Sequence, residues 1–254
     1  MDRVFPPESP WLRRFHERRG APLTLVLFPH AGGTANFYRS WSAGLPPWCE
    51  LWVVQYPGRE TRMSEPLVPR MEELADGAAA ALAEHLRGPY ALFGHSMGSA
   101  VAYETARRLS AGPAGGPVHF FASGRSAPTR PVTSRVHEFD DDALVESVVA
   151  LGVTPPEVFD VPGFREMVLS VVRNDYRLIE TYRPADTPPL EAPVTALAGD
   201  DDPLATPDDV KEWAGMTTRG CTVEVLPGGH FFPVRHQDEV LGILARDLAP
   251  HLRS

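Results

Sequence analysis

The chain holds only two cysteines, Cys49 and Cys221, among 254 residues. Two thiols make no disulfide framework, and a cytoplasmic setting fits them. No apolar run approaches the length that crosses a membrane. The stretch from Met1 to Pro10 carries Asp2, Arg3, Glu8 and three prolines, with no apolar signal-peptide core. Basic clusters of five or more residues are also missing, and the formal net charge is -9. Nucleic acid and anionic membrane are therefore not expected as partners. No Cys/His group has zinc spacing and no Gly-x-x-x-x-Gly-Lys phosphate loop occurs, so neither a metal nor another cofactor is expected. No internal repeat is visible. What the chain does have is 43% hydrophobic residues, enough for one sizeable core, and residues 1–254 read as one domain.

The sequence is organised around Phe93-Gly94-His95-Ser96-Met97-Gly98-Ser99. Tyr90 to Phe93 reads as a short buried strand, and a helix follows from about Met97 to Ala111. Between them lies Gly-x-Ser-x-Gly, the pattern of a nucleophile elbow. Glycine at 94 and 98 lets strand and helix approach closely around a tight turn. Ser96 is then forced into a strained conformation that lifts its hydroxyl clear of the sheet.

Other elements alternate around this one. Leu23 to Phe28 and Leu51 to Gln55 read as strands, as do Val118 to Ser123, Val194 to Ala198 and Thr222 to Leu226. Helices are expected over Asn36 to Ala43, Arg70 to Leu86, Pro207 to Met216 and Gln237 to His251, and one or two helical turns over Trp11 to Arg19. Strands alternating with helices predict an α/β fold, a mostly parallel sheet with helices on both faces. In such sheets ligands bind at the carboxyl ends of the strands. The alternation breaks for about 70 residues after Ser123, where helices are expected over Asp140 to Leu151, capped by Asp140, and over Gly163 to Tyr182. A helical insertion over about 125–190, at the ligand end of the sheet, reads as a lid.

Three chemical groups fall after strands, in the order Ser96, an acid within Asp200-Asp201-Asp202, and His230. That is the chain order of the α/β-hydrolase arrangement. A serine hydroxyl needs a base, an imidazole can take and return its proton, and a carboxylate fixes the imidazole tautomer. The acid commonly lies three residues beyond the glycine that ends its strand. From Gly199 this selects Asp202, with Asp200 the runner-up. His30, His95 and His236 compete with His230 for the base. Gly32 and Gly33, after the strand ending at Phe28, allow backbone N–H groups to point into open space, as an oxyanion site requires.

Taken together these motifs resemble the type II thioesterases that serve polyketide and nonribosomal peptide synthases. The carrying residues are Phe28-Pro29-His30-Ala31-Gly32-Gly33, Tyr56-Pro57-Gly58-Arg59-Glu60-Thr61-Arg62, the elbow, Ser123-Gly124-Arg125-Ser126-Ala127-Pro128, Gly199-Asp200-Asp201-Asp202-Pro203 and Gly228-Gly229-His230-Phe231-Phe232. The resemblance implies an α/β-hydrolase with Ser96, Asp202 and His230 as its triad and the backbone N–H groups of Ala31 and Met97 as oxyanion donors. It implies a stand-alone cytoplasmic enzyme that hydrolyses acyl thioesters on the phosphopantetheine arm of acyl or peptidyl carrier domains, clearing mis-primed or stalled chains. The residues alone reach only as far as a serine hydrolase. A carboxylesterase or lipase on oxygen esters, and a non-catalytic module that binds carrier domains, are the competing readings. Arg59, Arg62 and Arg125 are candidates to help a carrier dock, beside the plainer reading of solvated arginines.

Overall fold

Strand β1 (Leu12–Arg13) runs antiparallel along one edge of the sheet, and every other pairing is parallel. The computed structural model describes residues 9–253 apart from positions 19, 162 and 187. The N-terminal reading of Met1 to Glu8 lies outside them. The further strands are β2 (Leu23–Phe28), β3 (Cys49–Val54), β4 (Tyr90–His95), β5 (His119–Ser123), β6 (Val194–Gly199) and β7 (Cys221–Leu226). Among the described residues they form one seven-stranded sheet in the order β1-β3-β2-β4-β5-β6-β7. Register places Phe28 beside Gly94, His95 beside Ser123, and Gly199 beside Leu226, so the loops after these strands open on one rim.

Side chains alternate in direction along the central strands, and both faces are buried. Val26, Phe28, Leu92, Phe120, Ala122 and Ala196 point to one side, where α2 (Met71–His85) and α3 (Met97–Ser110) cover them. Leu25, Leu27, Phe93, Phe121 and Leu197 point to the other, under α1 (Trp41–Gly44) and α8 (Gln237–Leu248). Strands buried on both faces must be apolar at successive positions, and so they read as continuous hydrophobic runs. Each fully buried Phe or Leu contributes roughly 1.5–3 kcal/mol. The stripe Leu74, Ala78, Leu82 of α2 is buried, as its spacing requires.

Between β5 and β6 lie α4 (Asp141–Ala150), a 3-10 turn (Pro156–Asp160) and α5 (Phe164–Thr181). The Asp140 side chain caps α4 by accepting from the Ala143 N–H at 2.9 Å. Leu144, Phe159, Leu169 and Val172 form a small core of their own. Leu178, Ile179 and Tyr182 join the main core, so α5 is tied to the body. The remaining helices are α6 (Pro207–Val210) and α7 (Phe232–Arg235). Among the described residues, no helix is long and apolar enough to cross a membrane.

Three sequence expectations change. The helical turns expected over Trp11 to Arg19 are absent over the described part of that segment. Instead Leu12 pairs with Val54 and the Trp11 carbonyl accepts from the Gln55 N–H at 2.7 Å. Arg18 ties the segment down by donating to the Ser42 and Cys49 carbonyls at 2.7 and 2.8 Å. The helix expected over Asn36 to Ala43 splits into a 3-10 turn (Asn36–Tyr38) and α1. It cannot continue past Gly44, because Pro46 holds Leu45 in an extended conformation (φ -75°, ψ 151°). Pro207 to Met216 likewise divides into α6 and a 3-10 helix (Lys211–Met216).

Candidate active site

Ser96 stands between β4 and α3 with φ 55° and ψ -122°, a conformation that costs a non-glycine residue energy. The surroundings enforce it. A Cβ at Gly98 would stand 2.0 Å from the Phe28 carbonyl oxygen, and one at Gly94 would stand 2.3 Å from the Gly98 oxygen. Only glycine permits that approach. The Ser96 N–H donates to the Ser123 carbonyl at 2.8 Å, which pins the turn to β5. Ser96 is half-buried between fully buried neighbours, so its hydroxyl is what the turn presents.

The structure brings Ser96, His230 and Asp202 together. His230 Nε2 lies 2.9 Å from Ser96 Oγ, and Nδ1 lies 2.9 and 3.1 Å from the two Asp202 oxygens. An ionised carboxylate only accepts, so Nδ1 carries a proton and donates it. Nε2 of the neutral ring then accepts from the Ser96 O–H. Asp202 and His230 are both buried, and Asp202 also accepts from the Leu204 N–H at 2.8 Å. Asp200 is not part of this chain: it is exposed and accepts from the Gly228 N–H at 2.7 Å, bracing the turn that leads to His230.

The other histidines are occupied elsewhere. His236 faces Glu239 at 3.2 Å, His95 Nδ1 and the Ser123 hydroxyl share a 3.0 Å hydrogen bond, and His30 Nδ1 and the Tyr38 hydroxyl share one of 2.8 Å. Burial above all, with the charges of His230 and Arg59 behind it, pushes the His30 pKa down to about 3. Burial likewise holds His95 well below the usual range. Both rings stay neutral at pH 7. The unfolded chain protonates them from about pH 6.5 downward, and the folded chain does not until far lower. Stability from these rings is therefore whole above about pH 6.5 and falls as pH drops. Between pH 7 and pH 5 the His30 ring is expected to remove about 2 kcal/mol of stability, and His95 acts in the same direction. Urea unfolding midpoints at the two pH values check this, and a pH-independent midpoint would contradict it.

A cavity of about 560 Å3 opens at Ser96. Ala31, Met97, His30, His230 and Phe231 line it near the hydroxyl, and Val132, Val136, Leu151, Tyr176, Ile179 and Leu204 extend it towards α4 and α5. Met97 is the first residue of α3, where the backbone N–H has no acceptor within the helix and the helix dipole favours negative charge. A wider groove of about 910 Å3 lies away from Ser96. Within it, Arg107 and Arg108 pair with Glu104 at 2.8 and 2.7 Å.

Two of the three arginines expected at a docking surface are sealed from solvent. Arg59 and Arg62 are buried, Arg59 in a two-pronged ion pair with Asp175 and Arg62 with Glu65. Arg125 lines the cavity, with its pKa pushed down to about 10 by burial. Asp175 itself escaped the sequence reading. Its signal was present: an aspartate on the apolar face of an amphipathic helix, between Val172 and Leu178, is rarely buried without a partner.

Comparison with known proteins identifies the family. The family model for the thioesterase domain matches residues 23–248. A probable cadicidin biosynthesis thioesterase of Streptomyces griseus is 42% identical over 240 residues, covering 94% of this chain and 66% of that one. Thioesterase PikA5 of Streptomyces venezuelae is 37% identical, with 95% of this chain and 85% of that protein covered. The chain thus spans about two thirds of the first relative's length and most of the second's. The solved type II thioesterase BorB, from the borrelidin biosynthetic cluster, superposes with a TM-score of 0.87 at 38% identity, over 94% of this chain and 97% of that one. With a mostly parallel sheet, helices on both faces and a match over nearly its whole length, the chain belongs to the thioesterase family on the α/β-hydrolase fold.

Proposed function

We propose that this chain is a serine thioesterase of the type II class. It would hydrolyse acyl groups from the phosphopantetheine arm of acyl or peptidyl carrier domains, clearing mis-primed or stalled chains in polyketide or nonribosomal peptide synthesis. One observation carries the reading: an unbroken line of 2.9 Å contacts from Ser96 through His230 to Asp202, at the mouth of a cavity.

Ser96 attacks the thioester carbonyl while His230 Nε2 takes its proton. Asp202 accepts from Nδ1–H and stabilises the imidazolium. The carbonyl oxygen gains negative charge against the N–H groups of Ala31 and Met97. The tetrahedral adduct collapses, the C–S bond breaks, and His230 returns its proton to the departing thiolate. Water, deprotonated by His230, then attacks the acyl-serine and releases the free acid and the Ser96 hydroxyl. His30 and His95 support this cycle by staying neutral. A charged ring with its centroid 5.1 Å from His230, where that of His95 lies, would oppose the imidazolium.

The apolar walls beyond Ser96 suit an acyl chain. Residues 1–254 act as one hydrolase domain on this reading, with the helical insertion over about 125–190 as the lid. The enzyme then works in the cytoplasm, beside the synthase that bears the carrier.

A panel of acyl groups, each loaded on a carrier protein, on a small thiol and on p-nitrophenol, tests the reading. The carrier thioesters are expected to show the highest kcat/KM for every acyl group. Faster turnover of the p-nitrophenyl esters would make the enzyme an oxygen-ester hydrolase instead. Failure of a fluorophosphonate to label Ser96 would leave only a carrier-binding module.

A further inference from the structure

The loop after β2, which carries Ala31, has no helix or strand between Phe28 and Asn36. Its backbone is held from outside at four points. The Tyr56 hydroxyl donates to the Pro29 carbonyl at 3.1 Å, and Arg59 donates to the Gly33 carbonyl at 3.1 Å. The Gly32 N–H donates to Asp175 at 2.8 Å, and the Asn36 N–H donates to Glu60 at 3.0 Å. Arg59 and Asp175 then close on each other through contacts of 2.9 and 3.0 Å, both side chains buried. Ala31 sits between the first two anchored positions, Pro29 and Gly32.

Glu60 makes this arrangement hard to dismiss as ordinary packing. Among the described residues, two that are not glycine have positive φ: Ser96 at 55° and Glu60 at 52°. Glycine would adopt that conformation at Glu60 freely. The strain persists at a position whose carboxylate grips the oxyanion-side loop, and strain of this kind collects where geometry matters to function.

We propose that Tyr56, Arg59, Glu60 and Asp175 are positioning residues. They fix the Ala31 N–H at the oxyanion, and Asp175 ties that alignment to the seating of α5. The inference rests on the acyl-transfer reading of Ser96 above, but not on the carrier thioester as substrate.

Glu60→Gly separates alignment from folding, because it removes the carboxylate and relieves the strained φ together. Its thermal midpoint is expected to equal or exceed that of the parent. On a p-nitrophenyl ester its kcat is expected to fall about 10-fold with KM unchanged, part of the 10²–10³ that loss of a whole oxyanion donor costs. Inhibition by an alkyl boronic acid, whose adduct with Ser96 is tetrahedral, should weaken by the same factor. Glu60→Gln keeps an acceptor for the Asn36 N–H and should restore most of kcat. Asp175→Asn should lower kcat further than Glu60→Gly. Unchanged kcat in Glu60→Gly, or a loss of kcat without matching loss of boronate affinity, overturns the proposal. Fluorophosphonate labelling of the parent at Ser96 shows separately whether the acyl-transfer reading stands.

Discussion

Ser96→Ala is expected to lower kcat by about 10⁶-fold, the loss seen when a triad serine is removed while its surroundings remain. The residue ends a chain of polar contacts whose other members are an imidazole and a carboxylate: His230 Nε2 faces Ser96 Oγ, and Nδ1 faces Asp202. Removing one oxygen abolishes the covalent route, and on the proposed mechanism what remains is attack of water on a thioester held against two amides. The remaining rate therefore measures the oxyanion site and binding alone. Intact-mass measurement after mixing with an acyl thioester gives the decisive readout. The parent should gain the mass of the acyl group and the variant should not. An acyl adduct on the alanine variant would remove Ser96 from the mechanism.

The second large effect belongs to Asp202. Asp202→Asn should cost about 10⁴-fold in kcat with little change in the fold, because an amide is nearly the same shape as a carboxylate. The amide can donate where the carboxylate only accepts. Once it donates to His230 Nδ1, the proton moves to Nε2, and the ring then faces the Ser96 hydroxyl with a donor instead of an acceptor. Asp200→Asn makes the control. Asp200 only accepts from the Gly228 N–H, a task that an amide oxygen performs as well, so its loss should be far smaller. Steady-state kinetics of the two variants on one substrate check the pair. Equal losses would mean that the acid has been assigned to the wrong aspartate.

The sheet and the elbow could be read from residues because their determinants are local. Leu23 to Phe28, polar only at Thr24, and Tyr90 to Phe93 are apolar runs closed by Pro29 and Gly94, and both are strands buried on their two faces. The Ser96, Asp202, His230 order was legible because each residue follows a strand, and the register sets those strand ends on one rim. Distant partners were not legible. Arg59 and Asp175 lie 116 positions apart, and an arginine followed by a glutamate looks the same in sequence whether it is solvated or sealed beneath a helix. The segment at Leu12 became an edge strand because β3 offered it hydrogen-bonding groups, a fact about the folded sheet and not about residues 11–19.

The Asp175–Arg59 pair reaches from the inserted helices into the body of the protein, and this sets a rule for chimeras. Exchanging residues 125–190 for the equivalent stretch of another enzyme moves Asp175 but leaves Arg59 behind. A donor segment without an acid at that place strands a guanidinium in the interior and frees the Gly32 amide at the same stroke. Swaps made to alter acyl-chain selectivity should therefore be chosen first for this one carboxylate, and only then for the shape of the pocket they bring.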